Sequence, residues 1–335
     1  MSLSARAAGF QFDAVTHFDH LLDSLGQLDR GDVAHIHWTS PIAQDAPTLS
    51  TARRRVRMLA RNLRRARRRG AHLVWTVHNR LPHELRYREQ EIALYRLLAQ
   101  ESDAVHVMTA DTADVISDVC AIPSDKLRLI PHPNYQGIYD TSISRDEARA
   151  SFELTPDDVA VLFLGQIRPY KGVDTLLQAV DAAARPDGRP IVLLLAGDVS
   201  AEAISVLEET LPRSIRSIVH FGFVADGDIA RWFSAADIAV FPYRQILNSG
   251  SVHLAATFHV PAIIPDEPHL RSQYGQEPWA AFFDTREPVA SLTALLSDPA
   301  LFAGLTEAQF ARFVEALSPW QVSCAYRDLL TELTS

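Results

Sequence analysis

The sequence predicts an α/β protein with a parallel sheet in each of two halves, on three observations. Short apolar runs recur along the chain, each followed by a segment of helical spacing, in repeated strand–helix–strand order. The stretch Asp237–Pro265 shows one such unit whole. The apolar run Ile238–Phe241 closes at Pro242, a polar turn Asn248-Ser249-Gly250-Ser251 follows, and Val252, Leu254, Ala255 and Phe258 then keep helical spacing up to a second run, Ala262–Ile264. Finally, 335 residues, 47% hydrophobic and 22% charged, suit two ordinary domains that bury real cores.

Composition excludes several classes. A net charge of −9 argues against a general nucleic-acid binder. Two cysteines, Cys120 and Cys324, supply neither a disulfide framework nor a zinc cluster. No apolar run approaches the roughly 20 residues of a membrane helix, and Met1-Ser2-Leu3 opens no signal peptide. The expected location is the cytoplasm.

Taken in order, Phe18, Leu21, Leu22 and Leu25 have helical spacing. No Gly-rich strand-to-helix turn precedes them, so a first strand is missing, degenerate or replaced. Val33–Trp38 reads as a strand. Residues 51–69 form a basic helix with an apolar stripe at Val56, Leu59, Leu63 and Ala66, ended by Gly70. Its arginines read either as a solvated face or as a surface for anionic lipid head groups or a lipid-diphosphate acceptor. His72–Asn79 is a strand running into Arg80-Leu81-Pro82-His83-Glu84. Then follow a helix over 85–101, a strand Ala104–Met108, a helix Thr112–Cys120, a strand Leu127–Ile130 and a linker Asn134–Ser144. The second half opens with the helix Arg145–Phe152 and the buried strand Val159–Leu164. Helix Asp174–Ala183, strands Ile191–Leu195 and Val219–Val224, and helix Asp228–Ala235 complete it. The implied domains are 1–138 and 145–315, with a terminal helical segment over 318–335.

Open α/β sheets place ligands just past the carboxyl ends of their strands. A lone His there is usually structural; the cluster His78, Asn79, Arg80, His83 and Glu84 is harder to dismiss. In Gly165-Gln166-Ile167-Arg168-Pro169-Tyr170-Lys171-Gly172, glycines permit close backbone approach, and Arg168 and Lys171 offer two positive charges to a diphosphate. A turn of Asn248, Ser249, Gly250 and Ser251 that opens a helix presents unpaired N–H groups to a phosphate. An ordinary N-cap by Ser249 or Ser251 gives the same pattern.

The stretch 237–265 resembles the donor-binding unit of GT-B glycosyltransferases, which have two Rossmann-like domains with parallel sheets, helices on both faces and a cleft between them. Gly165–Gly172 is similar to the G-R-L-x-x-x-K-G loop of family 4, with the arginine displaced to Arg168. Ile246 and Leu254 stand where that family carries its two glutamates. WTVHN (75–79) resembles the family's T-V-H-D strand end. The longer WTVHNRLPHE, with HIHW upstream, resembles GumI-like bacterial exopolysaccharide mannosyltransferases. PHPNY (131–135) resembles the crossing into the second domain, and the segment from Ser318 the terminal helix that returns to the first.

The resemblance implies a glycosyltransferase moving a hexose from a nucleotide-sugar to a saccharide or lipid-linked acceptor. The GumI-like features favour GDP-mannose and inversion; a UDP-sugar stays open. Donor binding falls to Gly165, Arg168, Lys171, Tyr243, Arg244, Asn248, Ser249, Gly250 and Ser251. His78 and Glu84 are the catalytic candidates, and His37, Asn79, Arg80, His83 and His132 the sugar or acceptor contacts. No Asp-x-Asp motif stands in a suitable loop, so neither metal nor cofactor is expected. Arg53–Arg69 would hold the protein on the inner face of an anionic membrane. The missing glutamates support a rival, a catalytically inactive nucleotide- or lipid-binding partner of an active transferase. A nucleotide-sugar epimerase has only architecture in its favour.

Overall fold

A computed structural model describes residues 1–335. Two compact units divide the chain: Met1–His132 with Pro319–Ser335, and Pro133–Ser318. Each holds one fully parallel sheet.

The first unit has four strands in sequential order: β1 (Val33–Ile36), β2 (His72–Thr76), β3 (Ala104–Val107) and β4 (Leu127–Leu129). No strand precedes β1, where the sequence lacks a Gly-rich first turn. Right-handed crossovers that always step the same way leave their helices on one face of a sheet. Trp75 marks that face, packing edge-on against Tyr95 of the helix Arg88–Glu101. The opposite face is covered by the chain's ends. Val74, Ala104 and Ile130 form a core there with Ala5 and with Val322, Tyr326, Leu329 and Leu330 of the helix Pro319–Thr334.

The second unit has six strands, β5 (Val159–Leu164), β6 (Ile191–Gly197), β7 (Arg216–Phe221), β8 (Ile238–Val240), β9 (Ala262–Pro265) and β10 (Ala280–Phe283), in the order β10-β9-β8-β5-β6-β7. The chain winds outward from β5 through β6 to β7, then returns to β8 and winds the other way. β5 and β8, both wholly buried, flank the point of reversal. Asp237, just before β8, ties this sheet to the helix Arg145–Ser151. Its carboxylate bonds Arg145 at 2.6 Å, the buried Arg149 at 3.0 Å and the Ala160 amide at 2.7 Å.

Two segments differ from the sequence expectation. The helix predicted over Thr112–Cys120 stops at Val115; beyond it the Ser117 and Val119 amides bond carbonyls three residues back, at Asp114 and Ile116, so the chain goes on in tighter turns. The strand placed at Val219–Val224 is β7, Arg216–Phe221. It starts earlier because Arg216 pairs with Val192, and it ends as the His220 ring bonds the Phe223 carbonyl.

Candidate active site

In the second unit the loops after β5 and β8 meet. The β5 loop forms a single 3₁₀ turn, Pro169–Lys171, closed by Gly172 in the left-handed conformation at φ +67°. A Cβ there would lie 1.9 Å from the Pro242 carbonyl, so only glycine lets the two loops touch. Gly197 is as constrained: its Cβ would sit 1.7 Å from the Gly165 carbonyl. The Arg244 amide donates to the Tyr170 carbonyl (2.9 Å), and its guanidinium reaches Pro169 O and Asp174.

The two predicted cations differ in role. Arg168 pairs with Asp198 at 3.1 Å and donates to the Ile167 and Asp198 carbonyls, which pins its own loop. Lys171 pairs with no carboxylate. Its ammonium lies 3.8 Å from the ring centre of buried Tyr243 and 5.5 Å from that of Tyr170. The buried Ser249 caps the helix Gly250–Thr257, accepting from Val252 N at 3.4 Å. Gly250 and Ser251 occupy the first turn, whose N–H groups point out of the helix end. Asn248, half-buried, precedes the cap. Leu254, on this helix, is buried, and Ile246 packs against the core, so both former carboxylate positions are apolar contacts.

In the first unit, histidines gather at the strand ends on the face covered by the helix Pro319–Thr334. A chain of hydrogen bonds runs from β1 across β2 and β3 to the residue just after β4. Its direction is set at one end by the Ile130 carbonyl, which only accepts. His106 Nε2–H donates to it (2.8 Å), so with His106 neutral its Nδ1 accepts from Thr76 Oγ1 (2.9 Å). Thr76 then accepts from His35 Nε2–H (2.7 Å), and His35 Nδ1 from the Tyr326 hydroxyl (2.6 Å). Burial, reinforced by neighbouring histidines, keeps His35 well below the usual histidine range; burial lowers His106 to about 4 despite its bond to Ile130.

His37 stacks on His35 with ring centres 4.0 Å apart, and its Nδ1 lies 3.3 Å from His78 Nε2. Trp38, itself exposed, stacks on His78 at 4.0 Å. Burial, with His37, His106 and His132 adding repulsion, lowers His78 to about 3. A cavity of about 20 Å³, room for one water-sized group, lies beside His37, Thr39, Thr76, His78, Asn79 and Tyr95. Arg80 is paired with Asp118, and His83 and Glu84 are exposed on the loop beyond. No group of three or more His, Cys, Asp or Glu side chains is arranged to hold a metal ion.

The arginine helix, Leu49–Arg68, contains no acidic residue, and the fold divides its cations. Arg64 and Arg67 bridge to Glu101, and Arg67 also to Asp103; Arg69, next in the chain, donates to the Leu25 and Leu28 carbonyls at the end of the helix Phe18–Gln27. Arg54, Arg57, Arg61, Arg65 and Arg68 recur at intervals of three and four, are exposed and have no acidic partner. No helix in the protein is long and apolar enough to cross a membrane. Sequence reading missed His35, Thr76, His106 and Tyr326 as a set. It also missed Gln44 and Glu91, buried beside the loop 79–87.

Residues 158–298 match the family described as Glycosyl transferases group 1, so the second unit carries a glycosyltransferase domain. The chain is 28% identical over 240 residues, 71% of its length, to the GDP-mannose:glycolipid 4-beta-D-mannosyltransferase of Xanthomonas campestris pv. campestris, and spans 62% of that protein. It is 29% identical over 149 residues, 42% of its length, to the D-inositol 3-phosphate glycosyltransferase of Rhodococcus erythropolis, and spans 33% of it. Among solved structures it is similar to sucrose-phosphate synthase from Thermosynechococcus elongatus, with TM-score 0.67 and 17% identity over 90% of this chain and 73% of that one. Anabaena HepE in complex with UDP gives TM-score 0.67 and 13% identity, over 94% and 82%. These likenesses show the GT-B fold.

Proposed function

We propose that the protein transfers a hexose from a nucleotide-sugar to a saccharide or lipid-linked acceptor, with mannose from GDP-mannose the favoured donor. The observation that carries this is the meeting of the β5 and β8 loops at the reversal of the second sheet. Strand order alone marks that crevice as a ligand site. The β5 loop brings an ammonium without a carboxylate partner, and the β8 loop runs into a helix N-terminus, inside a glycosyltransferase family domain.

The leaving diphosphate is held by Lys171 and the amides of Gly250 and Ser251. Arg168 acts mainly by holding the loop. The Xanthomonas relative is named for a 4-β-mannoside and GDP-mannose, a pairing that requires inversion and so a base on the acceptor hydroxyl. His78 is a poor base at neutral pH, since a proton acceptor works best with a pKa near the working pH. It suits the role of a neutral hydrogen-bond partner for a sugar hydroxyl, leaving Glu84 as the base. Apolar Ile246 and Leu254 fit a route that does not use the two family 4 glutamates. The arginine stripe fits attachment to an anionic membrane face carrying a lipid-linked acceptor.

The test is release of nucleotide from GDP-mannose and UDP-sugars, with and without lipid-linked saccharide. Lys171→Ala should weaken nucleoside diphosphate binding by about 1–3 kcal/mol. Binding without turnover on any donor would favour the inactive-partner reading; no binding by calorimetry would defeat both.

A further inference from the structure

We infer that Gln44 and Glu91 form a matched pair that positions the loop 79–87, the loop that carries Asn79, Arg80, His83 and Glu84. The inference rests on the transferase reading above, in which Glu84 takes the acceptor proton.

That loop leaves the end of β2 and returns at the N-terminus of the helix Arg88–Glu101. At its near end, the Tyr95 hydroxyl donates to the Asn79 carbonyl at 3.1 Å. At its far end, the amides of Arg86 and Tyr87 are held by one side chain. Gln44 Oε1 accepts from both, at 2.8 and 3.0 Å. The same amide presents its Nε2 to Glu91 Oε2 at 2.5 Å. Gln44 is 4% exposed and Glu91 fully buried, so water cannot substitute for either partner.

The chemistry makes the pair interdependent. An amide whose oxygen must face two donors has its NH₂ turned the opposite way, and that NH₂ needs an acceptor when buried. Glu91 is the close acceptor, with the Tyr87 carbonyl a longer one at 3.5 Å. Burying a carboxyl group with no cation beside it is costly, and no salt bridge offsets it here. Burial raises the Glu91 pKa, against the hydrogen bonds from Thr39 and Gln44. An apolar pair would fill the volume at lower cost but would release the Arg86 and Tyr87 amides. Glu91 touches no reacting atom; it orients Gln44, and Gln44 sets where the segment just after Glu84 lies.

An exchange of the two groups tests this. Gln44→Glu sets two carboxyl groups against each other, so the loop should shift. Release of GDP from GDP-mannose with acceptor present should fall roughly 10- to 100-fold, the scale of a misplaced catalytic group. The loss should lie in turnover, with nucleotide affinity of the second unit unchanged. Adding Glu91→Gln restores one amide and one carboxyl group in swapped places. The double variant should recover most of the turnover. Hydrogen exchange at the Arg86 and Tyr87 amides reads the same device without activity: faster in Gln44→Glu, restored in the double variant. Wild-type turnover in Gln44→Glu, or no recovery in the double variant, overturns the inference. If no donor is turned over, the transferase reading fails by itself, while unchanged exchange would refute the pairing independently.

Discussion

The two units build their strand ends by opposite means. In the second, the site is made of backbone. A sheet that reverses at β5 and β8 opens a crevice, and Gly172 and Gly197 let main chain meet main chain within it. In the first, the strands run in sequential order and offer no reversal. Their ends are organised by side chains: the line from Tyr326 through His35, Thr76 and His106 to Ile130, and the amide of Gln44. A framework of backbone contacts depends on conformation and has no proton to gain or lose. A side-chain site depends on every member keeping its protonation state.

The largest difference should appear on acidification. His35, His78 and His106 all have folded pKa values below that of an unfolded histidine. The unfolded chain therefore binds more protons as pH falls below about 6.5. Stability is full above that pH and is lost progressively toward pH 4, on the order of 3 kcal/mol from His106 alone. Hydrogen exchange from pH 7.5 to 4.5 should show β1–β4 losing protection before β5–β10. The reverse order would break the comparison.

A smaller effect is expected of Thr76→Val, which keeps shape and leaves the facing nitrogens of His35 and His106 unpaired. Each orphaned group costs about 1–3 kcal/mol. Denaturant unfolding should register the loss while calorimetry finds nucleotide affinity intact. Gly172→Ala is the counterpart. The left-handed conformation alone costs about 1–2 kcal/mol, and the collision with Pro242 must also be relieved. Here nucleotide binding should disappear while the first unit keeps its exchange protection.

The smallest effect concerns the surface of the first unit. Replacing Arg54, Arg61, Arg65 and Arg68 with Gln should abolish low-salt sedimentation with anionic liposomes and leave stability unchanged. Replacing Arg64 and Arg67 should instead lower stability through Glu101 and Asp103. Attachment should fade with salt, since screening confines the attraction to about 8 Å at physiological ionic strength. Equal liposome binding by both variants would reduce the stripe to a solvated face.

What the sequence shows follows the same division. Strands such as Val159–Leu164 are legible because their apolar runs are local, and Gly165–Gly172 because glycines and cations stand together. The line through His35 is not: its partners lie 41 and 291 residues away, and Thr76 looks like any strand threonine. Gln44 and Glu91, 47 residues apart, carry no local signature at all. Arg168 shows the limit on the legible side. Spacing marks it as a candidate phosphate-binding cation, and only the structure reveals that Asp198 holds it.

The first unit is discontinuous in the chain, and translation must respect that. Residues 133–318 leave the ribosome between its two pieces. At 5–20 residues per second, β1–β4 wait roughly 10–40 s for the helix that covers them. Throughout that interval Val74, Ala104 and Ile130 lack their final neighbours and are open to chaperones or to other nascent chains. Lesions in residues 319–335 should therefore surface as lost yield in the cell, ahead of any kinetic defect in the molecules that do mature.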